Sequence, residues 1–83
     1  MYRVDVDNSA RKNMWALPQV QQDRILEALT RLSENPRPVG VRKLSGSSDW
    51  RIRVGDYRIL FEINDPSREV RVHTIAHRKE AYR

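Results

Sequence analysis

Three arginines, Arg51, Arg53 and Arg58, recur with the spacing of side chains on one face of a β-hairpin. They alternate with apolar residues in two runs, residues 50–54 and 57–63, and this alternation is the period of half-buried strands. A glycine followed by an aspartate separates the runs and favours a type II′ hairpin turn. The arginines therefore share the polar face of the hairpin, where guanidinium groups match phosphate oxygens two bonds at a time.

The tight turn predicts that Arg53 lies directly opposite Arg58, with Ile52 opposite Ile59 and Trp50 opposite Phe61. Two like charges in a direct cross-strand pair destabilise a sheet by roughly a few tenths of a kcal/mol or more. A phosphate lying across the pair reverses this cost, so the pattern favours an anion site. The alternative is a solvated sheet face on which the long side chains splay apart.

Composition indicates a small single domain, 1–83, with a polyanionic partner. The chain has 83 residues, near the size at which core burial is barely sufficient for folding. Sixteen Lys and Arg against eleven Asp and Glu give a net charge of +5. This excess favours nucleic acid over a membrane surface, because no basic amphipathic helix is evident.

Several classes of protein are not expected. The chain has no cysteine, so a disulfide framework and a thiolate metal site are excluded. The two histidines and scattered carboxylates show no ligand spacing, and we expect neither a metal site nor a cofactor. The charged N-terminus does not resemble a signal peptide, and no run approaches the roughly 18 apolar residues of a membrane span. We expect a soluble, cytoplasmic protein.

The hairpin belongs to a predicted α+β fold of the order βααββββ. Strands are predicted at residues 2–6, 39–44 and 69–75 besides the hairpin, and helices at 10–17 and 18–33. The helices carry apolar stripes, formed by Ala10, Met14 and Leu17 and by Ile25, Leu26, Leu29 and Leu32. We therefore expect an antiparallel, twisted sheet with an N-terminal helical hairpin packed on one face. Trp50 and Phe61 alternate towards that face and are predicted to lie in the core.

The last strand extends the arginine face. A four-residue loop pairs Glu62 with Arg71 and Leu60 with His73, so Arg71 and His73 join this face, where Glu62 offsets Arg71. Residues 76–83 are then expected to leave the sheet. They carry further groups that could contact RNA, namely His77, Arg78, Lys79, Tyr82 and Arg83.

Three segments together carry a family resemblance. They are the hairpin at residues 50–63, the sequence Asn-Pro-Arg-Pro followed by Val-Arg-Lys-Leu at residues 35–44, and the ending Ala-His-Arg-Lys-Glu-Ala-Tyr at residues 76–82. With the order of elements, they make the chain resemble the RelE toxins of the RelE/ParE superfamily over nearly its whole length.

The resemblance implies a type II toxin that acts as an mRNA interferase. Such a toxin enters the ribosomal A site, cleaves the messenger RNA there and is neutralised by a cognate antitoxin. It would meet operator DNA only through the complex with the antitoxin. The family's functional positions correspond to Arg51, Arg53, Arg58, Arg78 and Tyr82. Some members have lysine at the first two positions, which matters because lysine can lose a proton and arginine cannot.

Cleavage by the RNA's own 2′-hydroxyl needs a base, an acid and cations that stabilise charge on the phosphate. We assign the last role to Arg53, Arg58 and Arg78 and expect Arg51 to bind the backbone. Base and acid fall to Tyr82 and His77 or to groups of the ribosome. Arg71, His73, Lys79 and Arg83 are predicted as further RNA contacts.

Two other functions remain open at the level of sequence. A toxin of the ParE type would have the same fold but act on DNA gyrase, and the basic pair Arg51 and Arg53 with the C-terminal ending counts against it. A non-catalytic basic module would bind nucleic acid or the ribosome, with an affinity that depends on salt.

Overall fold

The computed structural model describes residues 1–79, and within them two helices pack on one face of a five-stranded sheet. The elements are β1 (Arg3–Val6), α1 (Asn8–Trp15), α2 (Gln19–Glu34), β2 (Arg42–Lys43), β3 (Asp49–Val54), β4 (Tyr57–Asn64) and β5 (Glu69–His77). This is the predicted order βααββββ. Neither described helix is long and apolar enough to cross a membrane.

The strands lie in the order β1-β5-β4-β3-β2, and the sheet is mixed. β2, β3, β4 and β5 pair antiparallel, as predicted, but β1 pairs parallel with β5. The expectation of a wholly antiparallel sheet is therefore wrong at one edge. Alternation within a strand carries no information about the direction of a partner that lies more than 60 residues away.

The central hairpin has the predicted register. Arg53 lies opposite Arg58, Ile52 opposite Ile59 and Trp50 opposite Phe61. Gly55 has a φ of 59°, while the next residue is not among those with positive φ. That combination is the type II′ turn, whose first central position favours glycine.

A β-bulge changes the register between β4 and β5. Glu62 lies opposite Arg71, as predicted, but Leu60 lies opposite Thr74. One extra residue on β5, His73, therefore interrupts the pairing, and the predicted pair of Leu60 with His73 is wrong. β5 also continues to His77, so the expectation that the chain leaves the sheet at residue 76 is wrong.

The core lies between the helices and the sheet. The helices contribute Ala10, Met14, Ile25, Ala28, Leu29 and Leu32, and the strands contribute Ile52, Ile59, Phe61, Val70, Val72 and Ile75. Leu26, predicted in the stripe of α2, is 40% exposed, because Ala28 takes the inward position instead. Phe61 is fully buried and Trp50 packs at the margin of the core, which confirms their predicted inward orientation.

Candidate nucleic-acid interface

The sheet face opposite the helices, here called the open face, carries three cross-strand rows of side chains. The first row contains Asp49, Glu62 and Arg71, the second Arg51, Leu60 and Thr74, and the third Arg53, Arg58 and Ala76. Neighbouring rows are two residues apart along a strand, about 6.8 Å. The third row, called the basic row, therefore lies about 14 Å from the first.

Arg53 and Arg58 form the basic row at the end of the central hairpin. The two-residue turn makes Val54 and Tyr57 a hydrogen-bonded pair, so Arg53 and Arg58 form a non-hydrogen-bonded pair, in which side chains approach more closely. Arg53 is exposed and Arg58 is half-buried. Two guanidinium groups on adjacent strands can approach the same phosphate from two directions.

Arg78 lies beside the basic row. Its backbone N–H donates to the carbonyl oxygen of Asp56 at 2.7 Å, which fastens the chain after β5 to the hairpin turn. Ala76 is opposite Arg58, so Arg78 follows two residues beyond that position. Its side chain is exposed and forms no ion pair within residues 1–79. Lys79, the next residue, is exposed as well.

Arg51 lies in the second row with a neighbour that the sequence analysis missed. Arg42 of β2 is opposite Arg51 and is exposed. The sequence gives only a weak indication that Arg42 lies opposite Arg51, because β2 contains only two residues and its register depends on an irregular loop. Arg42 extends the positive charge of the open face to the edge of the sheet.

The first row is electrically balanced. Arg71 pairs with Asp7 at 3.3 Å and with Glu62 at 3.2 Å. His73 lies near this row, with Nε2 2.9 Å from Asp49 Oδ1 and Nδ1 2.9 Å from Thr74 Oγ1. The charge of Arg71 and both ring nitrogens of His73 are therefore engaged within the fold, whereas Arg53 and Arg78 form no ion pair with any carboxylate among residues 1–79.

Another paired arginine, Arg37, lies at the same end of the molecule as the first row. Arg37 donates to both carboxylate oxygens of Asp65, at 3.1 and 2.9 Å, and the Tyr2 hydroxyl donates to the same carboxylate at 2.6 Å. The hydrogen bonds from Arg37 and Tyr2 hold the pKa of Asp65 below its ordinary value, and the bond to Asp65 raises the pKa of Tyr2. Arg37 also lies over the ring of Trp50, 5.0 Å from its centroid.

His77 lies on the helix side of the sheet and not on the open face. It is opposite Tyr57, and the two rings meet edge to face with centroids 5.6 Å apart. The sheet therefore separates His77 from the basic row, because successive strand residues point to opposite faces. Tyr82 and Arg83 lie outside the described residues. Among the described residues, no three His, Cys, Asp or Glu side chains group as metal ligands would.

The sequence of the chain matches a family of toxins. The family model of the ParE toxin of type II toxin–antitoxin systems, parDE, matches residues 4–82. The chain belongs to this family. The strong structural matches to RelE toxins place it in the RelE/ParE superfamily, as the sequence resemblance indicated. No curated protein sequence matches significantly.

Solved structures of toxins in this superfamily share the fold. The archaeal RelE–RelB complex from Pyrococcus horikoshii is similar at 29% identity and a TM-score of 0.85, over 96% of this chain and 98% of that chain. The RelBE2 toxin–antitoxin complex from Mycobacterium tuberculosis has 25% identity and a TM-score of 0.76, over 92% and 96%. The intact RelBE complex from E. coli, at 24% identity and a TM-score of 0.81 over 93% and 96%, supports the fold alone.

Proposed function

We propose that this toxin is an mRNA interferase, an endoribonuclease that cleaves messenger RNA in the ribosomal A site and so stops translation. The observation that carries the proposal is the cross-strand pair of Arg53 and Arg58 on the open face. Arg53 has no ion-pairing carboxylate among residues 1–79, although Arg71 on the same face has two. A bound phosphate would convert the repulsion between the two guanidinium groups into attraction to a shared anion.

In the proposed reaction the 2′-hydroxyl oxygen attacks the adjacent phosphorus, and the bond from phosphorus to the 5′-oxygen breaks. The products are a 2′,3′-cyclic phosphate and a 5′-hydroxyl. Arg53, Arg58 and Arg78 stabilise the charge that develops on the non-bridging oxygens, while Arg51 holds the neighbouring backbone. Losing one well-placed donor of this kind costs about 10² to 10³ in rate.

The proton transfers fall to other groups. Arginine stays protonated at any working pH and cannot act as the base. Both nitrogens of His73 have partners within the fold, and His77 lies on the other side of the sheet. The proposal therefore assigns the base and the acid to Tyr82, as the family resemblance implies, together with groups of the ribosome, and gives His77 no part in the reaction.

The proposed partners are messenger RNA, the ribosome and a cognate antitoxin. The antitoxin is supported by the relatives from Pyrococcus horikoshii and Mycobacterium tuberculosis, which were solved as toxin–antitoxin complexes. The antitoxin would neutralise the toxin in the cytoplasm, and operator DNA would be bound only through that complex.

A second candidate is inhibition of DNA gyrase. The matching family model carries the description of the ParE toxin, and this observation favours it. A gyrase inhibitor does not cleave a phosphodiester bond. Its activity would therefore not require the basic row to stabilise charge on a phosphate, as RNA cleavage does.

A translation reaction with one defined messenger tests the proposal. The wild-type toxin should produce new messenger ends at ribosome-occupied codons, mapped by primer extension. Arg58→Ala should lower the cleavage rate by about 10² to 10³. The matched control is Arg71→Ala, the same change on the same face at an ion-paired position, which should leave the rate within a few-fold of wild type.

Other outcomes would favour the alternatives. An intact messenger and normal translation, with loss of gyrase supercoiling in a parallel reaction, would replace the proposal by gyrase inhibition. Blocked translation with an intact messenger would indicate a ribosome-binding protein that does not cleave.

A further inference from the structure

A groove runs along the outer edge of β3, between that strand and α2. It consists of two adjoining cavities of about 570 and 270 Å³. Arg31, Ile52 and Arg53 line both of them. This edge groove begins at the basic row and leads away from it around the side of the sheet.

The helix supplies one wall of the edge groove. Arg24 and Arg31 are seven residues apart, so they lie on the same face of α2, about 10.5 Å apart along its axis. Ala28 lies between them and is buried against the sheet. Arg24 also reaches the hairpin turn, since its Nη1 is 3.7 Å from the position that a Cβ on Gly55 would occupy.

The strand supplies the other wall, and its edge is open. β2 pairs only with Trp50 and Arg51, and no described strand covers β3 beyond that point. Ile52 and Val54 form the hydrogen-bonded pairs with β4, so the backbone N–H and C=O of Arg53 point into the edge groove. A backbone N–H at this position can donate to a phosphate oxygen.

The charge of the edge groove is strongly positive. Its lining contains five arginines and one glutamate, a local net charge of +4, namely Arg24, Arg31, Arg42, Arg51, Arg53 and Glu27. Glu27 pairs with Arg31 at 2.6 Å, but both side chains are well exposed, and such pairs contribute little. Arg24 and Arg42 form no ion pair within residues 1–79.

We propose that the edge groove binds the sugar-phosphate backbone of the RNA next to the cleaved phosphate. The inference rests on the proposed function, which places RNA at the basic row. Arg51 and Arg53 belong both to the open face and to the edge groove, so a strand bound at the basic row continues directly into the groove. The cavity at the opposite end of the sheet is lined by Glu62, Asp65 and Glu69 together with Arg71, so it offers the same backbone no excess of positive charge.

The test measures binding of a fluorescently labelled 15-nucleotide single-stranded RNA as a function of salt. The RNA is 2′-O-methylated, so it lacks the attacking hydroxyl and stays intact. Each phosphate contact contributes about 0.7 to the slope of log affinity against log salt. The double variant Arg24→Gln/Arg31→Gln should therefore lower the magnitude of this slope by about 1.4. As a result, when the salt concentration rises from 50 to 200 mM, the RNA affinity of the wild type should fall by about sevenfold more than that of the variant.

A matched control removes the same charge elsewhere. Arg11→Gln/Arg68→Gln changes two exposed arginines that line neither cavity of the edge groove, and it should keep the wild-type slope. All four positions are exposed, so thermal unfolding should show folded proteins in both cases.

The outcomes separate this inference from the proposed function. If both double variants behave alike while Arg58→Ala still abolishes messenger cleavage, the edge groove is not an RNA site and the interferase proposal stands. If Arg24→Gln/Arg31→Gln binds RNA like wild type but loses affinity for the antitoxin, the occupant is an acidic protein segment, and the inference is overturned. If the wild type binds no RNA and cleaves no messenger, both proposals fail.

Discussion

The repulsion between Arg53 and Arg58 predicts that Arg53→Gln makes the fold more stable while it impairs the toxin. For any two unit charges placed about 7 Å apart, Coulomb's law gives a repulsion of about 0.6 kcal/mol in bulk water and of about 2.4 kcal/mol at an effective dielectric constant of about 20. Arg53 is exposed, so the lower part of this range applies. We expect Arg53→Gln to raise the free energy of unfolding by about 0.5 to 1 kcal/mol.

The same substitution at Arg71 should have the opposite sign. Arg71 pairs with Asp7 and Glu62, and all three side chains are more than a third exposed. Exposed pairs contribute about 0.2 to 1 kcal/mol each, so Arg71→Gln should lower the free energy of unfolding by a similar amount. Two arginines on one face of one sheet thus differ in the sign of their effect because, in the part of the chain that the structure describes, carboxylates pair with only one of them.

Urea unfolding measures both effects. With an m-value of about 1 kcal/mol per molar, the midpoint should rise by about 0.5 to 1 M for Arg53→Gln. At 1 M salt, where the Debye length is about 3 Å, both variants should approach wild type. In an Arg58→Gln background the gain from Arg53→Gln should vanish, because the repulsive partner is gone.

The reasoning is refuted if Arg53→Gln destabilises the protein as Arg71→Gln does, or if its effect persists unchanged in 1 M salt or in the Arg58→Gln background. Messenger cleavage by Arg53→Gln should meanwhile fall by about 10² to 10³. A variant that is more stable and less active is the expected signature of a charge retained for function.

Four further substitutions test the fold. Phe61→Ala removes a fully buried ring and should cost about 3 to 5 kcal/mol in urea unfolding. Gly55→Ala should cost about 1 kcal/mol because its φ is 59°, whereas Arg68→Gly, with a φ of 54°, should change stability by less than about 0.5 kcal/mol. Because Arg37 holds the pKa of Asp65 below its ordinary 3.8, the melting temperature should fall as the pH drops below about 4, and Arg37→Ala should weaken that dependence.

The central hairpin could be predicted from sequence because two local constraints agree. Alternation with a period of two decides which side chains share a face, and a two-residue loop decides which residues are opposite each other. Arg53 and Arg58 are therefore brought together by the twelve residues around them. The predicted pair of Glu62 with Arg71 was confirmed for the same reason, because the loop that precedes β5 contains four residues.

Features that depend on distant packing could not be predicted in this way. The parallel pairing of β1 with β5 joins the two ends of the described chain. The bulge at His73 inserts a residue without any glycine or proline to mark it. The continuation of β5 then places His77 against Tyr57, whereas a tail leaving the sheet would have released it.

The candidate site likewise has features that can be predicted from local sequence and features that depend on distant packing. The sequence identifies which arginines share the open face, but it does not show which of them meet a carboxylate. Arg71 is balanced by Asp7, a residue 64 positions away that follows the first strand. Arg24 and Arg31 lie outside the apolar stripe of α2, and only the packing of α2 beside the open edge of β3 makes them part of a groove.

The distribution of carboxylates bears on why the basic row exists. A chain of 83 residues has little stability to spare, and at the first row of the open face it balances Arg71 with two carboxylates. At the basic row, about 14 Å away on the same strands, Arg53 has no carboxylate partner within the described residues 1–79 and faces a like charge. If only the stability of the fold mattered, carboxylates would balance the arginines at both rows. An external polyanion explains the difference, because it would neutralise the charge of Arg53 when the toxin is at work.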